Sequence, residues 1–364
     1  MSGNIEDKIS YGHAGVDTVA EEEGLKKLVT RLKGTVRLSD NAVMLDFGYF
    51  ANVLDLGNNL GLAISTDGVG TKIIVAQMME KYDTIGIDCI AMNVNDILCV
   101  GAKPISMVDY IAVQSPDTHL LEEIAKGLYE GAKISKISIP AGEIAQIKEM
   151  IKSEKEGMGF DLVGTAVGLV PLDRIIIGQN IQDNDVLIGL RSNGIHSNGL
   201  TLARKALFEK GRRDVRTYDA KLGKTLGEEL LEPTHIYVPE IMAMINRGIK
   251  LKALIHVTSD GFLNLLRVTS PCSYRITNLP EPHPIFKLIQ EAGKVSDEEM
   301  FRVYNMGIGF CLVVPESEAS AVLDICKKFN VEGYKIGYSV NDGKKEVIIE
   351  EKKLIGKDDK FHRL

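Results

Sequence analysis

The sequence predicts an α/β protein of two domains, and three observations support this. Of its 364 residues 45% are hydrophobic, enough for one large core or for two of ordinary domain size. From about residue 60 short apolar runs alternate with segments of helical period, which reads as strands and helices in turn. A charged, methionine-rich stretch, "EIAQIKEMIKSEKEGMG", leads into the strand-like "FDLVGTAVGLV" and the connection "PLDRII", setting a boundary near Pro171. Residues 1–170 then form an N-terminal domain, 171–350 a C-terminal α/β domain and 351–364 a tail.

The elements follow in order. In the first half "LGLAIST" opens the alternation, followed by "TKIIVAQMMEKY", "GIDCIAMNVNDILCVGA", "ISMVDYIAV" and "HLLEEIAKGLYEGAKIS". The second half repeats it with "DVLIGL", "GLTLARKALFEKG", "IYVPEIMAMINRG", "LKALIHVT", "GIGFCLVVP" and "EASAVLDICKKFN", and "KKEVIIEEKK" reads as the last strand. Neither a short repeat nor a low-complexity segment stands out.

Composition excludes several classes. A formal charge of −7 leaves no general field for a polyanion, and without a basic stripe no nucleic-acid partner is expected. The five cysteines show no CxxC spacing, which argues against a disulfide framework or a structural zinc site. "MSGNIEDKIS" lacks a signal pattern and no run is long and apolar enough to span a bilayer, so a cytoplasmic protein without a membrane partner is expected.

Chemistry concentrates in three places. "ISTDGVGTKIIVA" runs from strand through a glycine turn to a helix, a geometry that presents backbone N–H groups to an anion. Its spacing is neither a P-loop nor GxGxxG, because Ile73 stands where the third glycine belongs. Read alone, it is equally an ordinary turn with Asp67 and Lys72 exposed. In the next helix Ile87, Ile90, Ala91, Val94, Ile97, Leu98 and Gly101 form one apolar stripe, leaving Asp88, Asn95 and Asp96 on the opposite side. Carboxylates beside a phosphate loop suit Mg²⁺, and a solvated polar face is the plain alternative. In "RSNGIHSNGLTLARKAL" glycines and asparagines flank His196, a loop-tip histidine able to donate a proton or meet a phosphate oxygen. A turn histidine capping the helix is the alternative.

Together "SYGHAGVD", "RLKG", "STDGVGTK", "DTIGIDCIAMNVNDILCVGAKP" and "SNGIHSNGLTLARK", with "LLEPTHIYV", "IHVTSDGF", "NMGIGF" and "YKIG" later in the chain, resemble the aminoimidazole ribonucleotide synthetase family. The resemblance implies that family's two-domain ATP-binding fold, with an N-terminal domain that binds nucleotide and pairs its sheet across a homodimer. It also implies ATP-dependent cyclisation of formylglycinamidine ribonucleotide, with Mg²⁺, in purine synthesis. At matching positions it implies Lys33, Asp67 and His196 as catalytic, Gly68, Gly70, Thr71, Lys72 and Asn95 at the ATP phosphates, and Asp67, Asp96 and Glu143 as metal ligands. The glycine-rich cover of the family is replaced here by "TVRLSDNAVMLDFGYFAN", and its Gly-Gly-Glu-Thr-Ala segment by "AGEIA". Relatives such as thiamine-monophosphate kinase share "NVNDILCVGAKP", and a nucleotide-binding protein without turnover is a further alternative.

Overall fold

The computed structural model describes residues 12, 18–38, 40, 42–153 and 156–364. Apart from Gly12, the "SYGHAGVD" stretch lies outside the described residues. Helix α1 (Thr18–Leu32) and a 3-10 turn (Lys33–Arg37) precede β1 (Asn52–Asp55), β2 (Leu60–Gly68), α2 (Lys72–Met79), α3 (Ile85–Leu98), β3 (Lys103–Val113), α4 (Thr118–Ser135), β4 (Gly142–Gln146) and β5 (Phe160–Pro171). The five strands form one sheet in the order β1-β2-β5-β3-β4. Strands β2 and β3 both run antiparallel to β5, which lies between them, so the α2–α3 crossover joins two parallel strands that do not touch. This split arrangement is why alternating strands and helices here produce a mainly antiparallel sheet.

The second sheet has eight strands in the order β15-β14-β13-β10-β12-β6-β11-β9. Its chain order is β6 (Val186–Arg191), α5 (Leu200–Arg204) continuing as a π-helix (Lys205–Lys210), a small ribbon of β7 (Tyr218–Asp219) and β8 (Lys224–Thr225), α6 (Leu226–Leu230), α7 (Val238–Asn246) and β9 (Ala253–His256). There follow β10 (Ser273–Ile276), α8 (Pro284–Gly293), α9 (Asp297–Val303), β11 (Ile308–Val314), α10 (Glu316–Lys328), β12 (Gly333–Val340), β13 (Val347–Ile349), β14 (Leu354–Lys357) and β15 (Lys360–Arg363). Strand β11 is buried along its whole length, which matches its unbroken apolar run.

Residues expected as a tail instead complete this sheet. In "KKEVIIEEKK" only Val347–Ile349 is strand; a 3-10 turn and the left-handed Lys353 end it, and β14 and β15 then pair as a hairpin. Buried Leu354 and Phe361 hold the hairpin down among charged neighbours that hide the pattern.

Helix α3 is the centre of the molecule. Twelve of its fourteen residues are buried, since β2, β5 and β3 cover one side, α4 another, and α7 and β9 the rest. The polar side, for which a solvated face was the plain alternative, is covered by the second domain. Against α4 it packs backbone to backbone: a Cβ on Gly86 would lie 2.1 Å from Leu128 N, and one on Gly127 would lie 2.6 Å from Asp83 O. Neither partner atom can yield. Gly86→Ala is expected to destabilise the protein by about 2 kcal/mol or more despite alanine's better helix propensity, as read from urea unfolding.

Candidate functional site

The turn after β2 is built from bare backbone. Gly70 has a φ of +69°, and no atom lies within 4 Å of where its Cβ would be, so a ligand can approach the chain there. Thr71 is exposed and its hydroxyl pairs with that of Thr201 on α5 at 2.9 Å, joining the turn to the second domain. At the strand end Asp67 Oδ1 accepts from Gly68 N at 2.7 Å, while Asn93 on α3 donates to the Asp67 carbonyl at 3.1 Å.

Asp67 and Asp96 form an electrostatic pair. Burial, reinforced by the charge of Asp96, pushes the Asp67 carboxyl up to about 6. Asp96, in the last turn of α3, is held by His256 Nδ1 at 2.9 Å; Asn95 Nδ2 lies 3.5 Å from the other ring nitrogen, so Nδ1 is the one that donates. His256 lies within the stretch "IHVTSDGF" but gave no signal of this role, because its partner is 160 residues away and its own strand reads as core. Two carboxylates from different elements suit Mg²⁺, which keeps several waters and takes one or two protein oxygens together with substrate phosphates. Among the described residues no group of three or more His, Cys, Asp or Glu could close a cage round a metal.

Three expected ligands prove to be otherwise placed. Lys72 is not free for a phosphate: with no exposed surface, its ammonium donates to Asp88 Oδ1 at 2.9 Å and to the Glu232 carbonyl at 2.6 Å. Burial draws its pKa down while Asp88 opposes this. Asn95 is equally buried and works like a piece of backbone, donating to His235 O at 2.9 Å and accepting from Tyr237 N at 3.0 Å. Glu143 is not brought to the acidic pair. Asp67, Gly164, Asp109 and Gly142 lie in one row across the sheet, and strand alternation turns exposed Glu143 to the other face.

Asp88 is the point where the domains meet. Its Oδ1 also accepts from Thr234 N and Thr234 Oγ1, both at 2.7 Å, and from Ser197 Oγ at 3.1 Å. Those bonds fix the His196 loop. His196 itself is not an exposed tip: it is 1% exposed with a φ of +64°. Backbone N–H groups of Asn193 and His235 donate to Nε2 at 3.2 and 3.5 Å, leaving the proton on Nδ1, a buried atom without a partner among the described residues. Burial, then His256 and Lys72, hold the ring well below the usual histidine range and hence neutral. A Cβ on Gly309 would sit 2.4 Å from the His196 ring, so only glycine fits opposite it. Lys33 stands exposed in the 3-10 turn, lining a recess of about 330 Å³ with Val36 and residues 43–47.

Family models for the AIR synthase related protein match residues 40–170 (N-terminal domain) and 182–350 (C-terminal domain). Phosphoribosylformylglycinamidine cyclo-ligase of Methanocaldococcus jannaschii is 45% identical over 350 residues, covering 96% of each chain. That of Methanobrevibacter smithii is 47% identical, covering 88% of this chain and 92% of its own. Among solved structures, AaThiL complexed with AMPPCP and TMP shares the fold with a TM-score of 0.60 at 16% identity, over 93% of this chain and 96% of that one. A HypE–HypF complex does so with a TM-score of 0.59 at 17% identity, over 83% and 90%.

Two stability experiments follow from this geometry. Lys72→Met strands Asp88 without its buried counter-charge and is expected to cost about 3–5 kcal/mol in urea unfolding. Asp67→Asn has the opposite sign. The native carboxyl near 6 lies above its unfolded value, so Asp67 favours the fold below about pH 4 and that contribution is lost as pH rises through 6. The variant is therefore expected to exceed the wild type in stability by about 1–3 kcal/mol at pH 8 and to match it at pH 4.

Proposed function

The chain belongs to the phosphoribosylformylglycinamidine cyclo-ligase family, and we propose that Asp67, Asp96, the Gly68–Thr71 turn and His196 carry that family's reaction in it. It is a ligase of purine biosynthesis that forms a C–N bond, closing the imidazole ring of aminoimidazole ribonucleotide from formylglycinamidine ribonucleotide. The observation that carries the site assignment is the meeting of two carboxylates from β2 and α3 at a bare glycine turn, one of them pushed up to about 6.

An amide oxygen is a poor leaving group, so the formyl oxygen first takes the γ-phosphoryl of ATP and ADP departs. The amidine nitrogen then attacks the same carbon, the C–O bond breaks and phosphate leaves with its oxygen, while the nitrogen gives up a proton. Such a sequence asks the protein for position and charge more than for covalent help. The amides of Gly70 and Thr71 with the Thr71 hydroxyl receive phosphate oxygens. Asp67 and Asp96 would hold Mg²⁺, which neutralises the triphosphate when bound. His256 keeps the Asp96 carboxylate aimed, and the Nδ1–H of neutral His196, buried and without a partner among the described residues, is the donor proposed for the oxygen that gains charge.

A homodimer is part of this proposal. Leu62, Ile64, Val108, Tyr110, Val163 and Val167 share the sheet face opposite α3, and Val108 and Tyr110 are 42% and 41% exposed. An antiparallel sheet with one face on the core normally has a polar second face, and this one carries these apolar residues in its middle, beside Thr66 and Thr165. Sedimentation should give a dimer that Val108→Lys with Tyr110→Lys converts to monomer; a monomeric wild type would refute it. The five cysteines are all buried and free, and a reducing cytoplasm is the compartment proposed.

The deciding assay measures ADP release from Mg-ATP with and without formylglycinamidine ribonucleotide. One aminoimidazole ribonucleotide per ADP is expected, and turnover should fall at least a hundredfold in Asp67→Asn. Wild-type turnover in that variant would remove Asp67 from the site.

A further inference from the structure

The two halves of the site are tied by side-chain bonds across the seam. The nucleotide turn ends at Thr71, and the next residue, Lys72, enters the seam to bind Asp88 Oδ1 and Glu232 O. The same oxygen of Asp88 holds Ser197, the neighbour of His196, and Thr234, whose hydroxyl also pairs with that of Ser197 at 2.9 Å. One residue beyond Thr234, His235 N donates to His196 Nε2. A second tie lies beside the first: Thr71 Oγ1 meets Thr201 Oγ1 at 2.9 Å, and Thr201 belongs to the helix that the His196 loop feeds. Two side-chain links thus join the turn to the His196 loop.

The hub also contains an unused acceptor. The four bonds that Asp88 accepts, from Lys72, Ser197, Thr234 N and Thr234 Oγ1, all fall on Oδ1, whereas Oδ2 is buried and has no partner among the described residues. A donor can pass from one oxygen to the other without leaving the low-dielectric seam. We propose that the Lys72–Asp88–Ser197 link couples the two substrate sites, so that nucleotide seated at the Gly68–Thr71 turn tightens binding of the second substrate at the His196 loop, and the reverse. Lys72, Asp88, Ser197 and Thr201 are then positioning residues, acting through the loop rather than on the reacting atoms. Coupling of this kind is reciprocal, and each ligand must change the other's affinity by one common factor. The proposal rests on the cyclo-ligase reading, because it needs two substrates on the two sides of the seam.

The test is a binding cycle on the full chain with a non-hydrolysable ATP analogue and formylglycinamidine ribonucleotide, each titrated alone and in the presence of the other. The wild type is expected to bind each ligand at least about fivefold tighter when the other is present. Ser197→Ala with Thr201→Ala should bring that factor to within twofold of unity while each ligand alone still binds, and Ser197→Thr should keep the wild-type factor because the hydroxyl survives. In the ¹⁵N spectrum of His196 the ligand-free wild type should show protonated Nδ1 and bare Nε2, and the Ala variant a mixture of tautomers. An unchanged factor and an unchanged tautomer in the double variant, with lower melting temperature alone, would make the hub structural only and overturn the proposal. Equal affinities with and without the partner ligand in the wild type would also overturn it. Failure of the wild type to bind either ligand would instead strike at the cyclo-ligase reading itself, and the coupling would fall with it.

Discussion

A lysine ammonium with no surface in water is the constraint on which the arrangement of this molecule depends. Taking a charge out of water costs several kcal/mol even after relaxation, and one carboxylate does not fully offset that. The structure supplies more: the Glu232 carbonyl as a second acceptor for Lys72, and hydroxyl and amide donors from Ser197 and Thr234 for Asp88. Those groups come from the second domain, whereas Lys72 and Asp88 come from the first. The desolvation of one ion pair therefore fixes where the His196 loop lies relative to the glycine turn.

Around this hub the site divides into fixed and unsatisfied parts. Asn95 and His256 use their side-chain hydrogen bonds on neighbours, so their geometry does not wait for ligand. Asp67 is raised by burial and by Asp96, which means that the pair stores repulsion in the unliganded protein. The cation proposed for the two carboxylates would relieve it. In the proposed site, stability given up at Asp67 would be the counterpart of affinity for a charged ligand.

Much of this was legible in the sequence, for reasons that differ by residue. Strand β2, the glycine turn and α2 follow from a change of hydrophobic period at Gly68–Gly70, and α3 from its apolar stripe, both of which are local signals. The positions of Asp67 and Asp96 follow from the same elements. What remained hidden depends on partners distant in the chain. The stripe on α3 showed which side was apolar and not that the polar side was also covered, so Lys72 and Asn95 looked like ligands when they are ties between domains. His256 is silent for the same reason, and parity along β4, which depends on its register with β3, decides that Glu143 faces away from the acids. The closing hairpin escaped notice because only Leu354 and Phe361 of its apolar residues are buried within a charged run.

The two sheets are distinct in topology, but α3 makes them inseparable in another sense. Its polar groups reach their partners only when residues 232–237 and Ser197 are in place, so the first half of the chain ends with buried donors and acceptors that it cannot satisfy itself. The halves therefore do not behave as interchangeable modules. A recombined protein that joined this N-terminal half to a C-terminal half lacking these partners would inherit an unmatched seam.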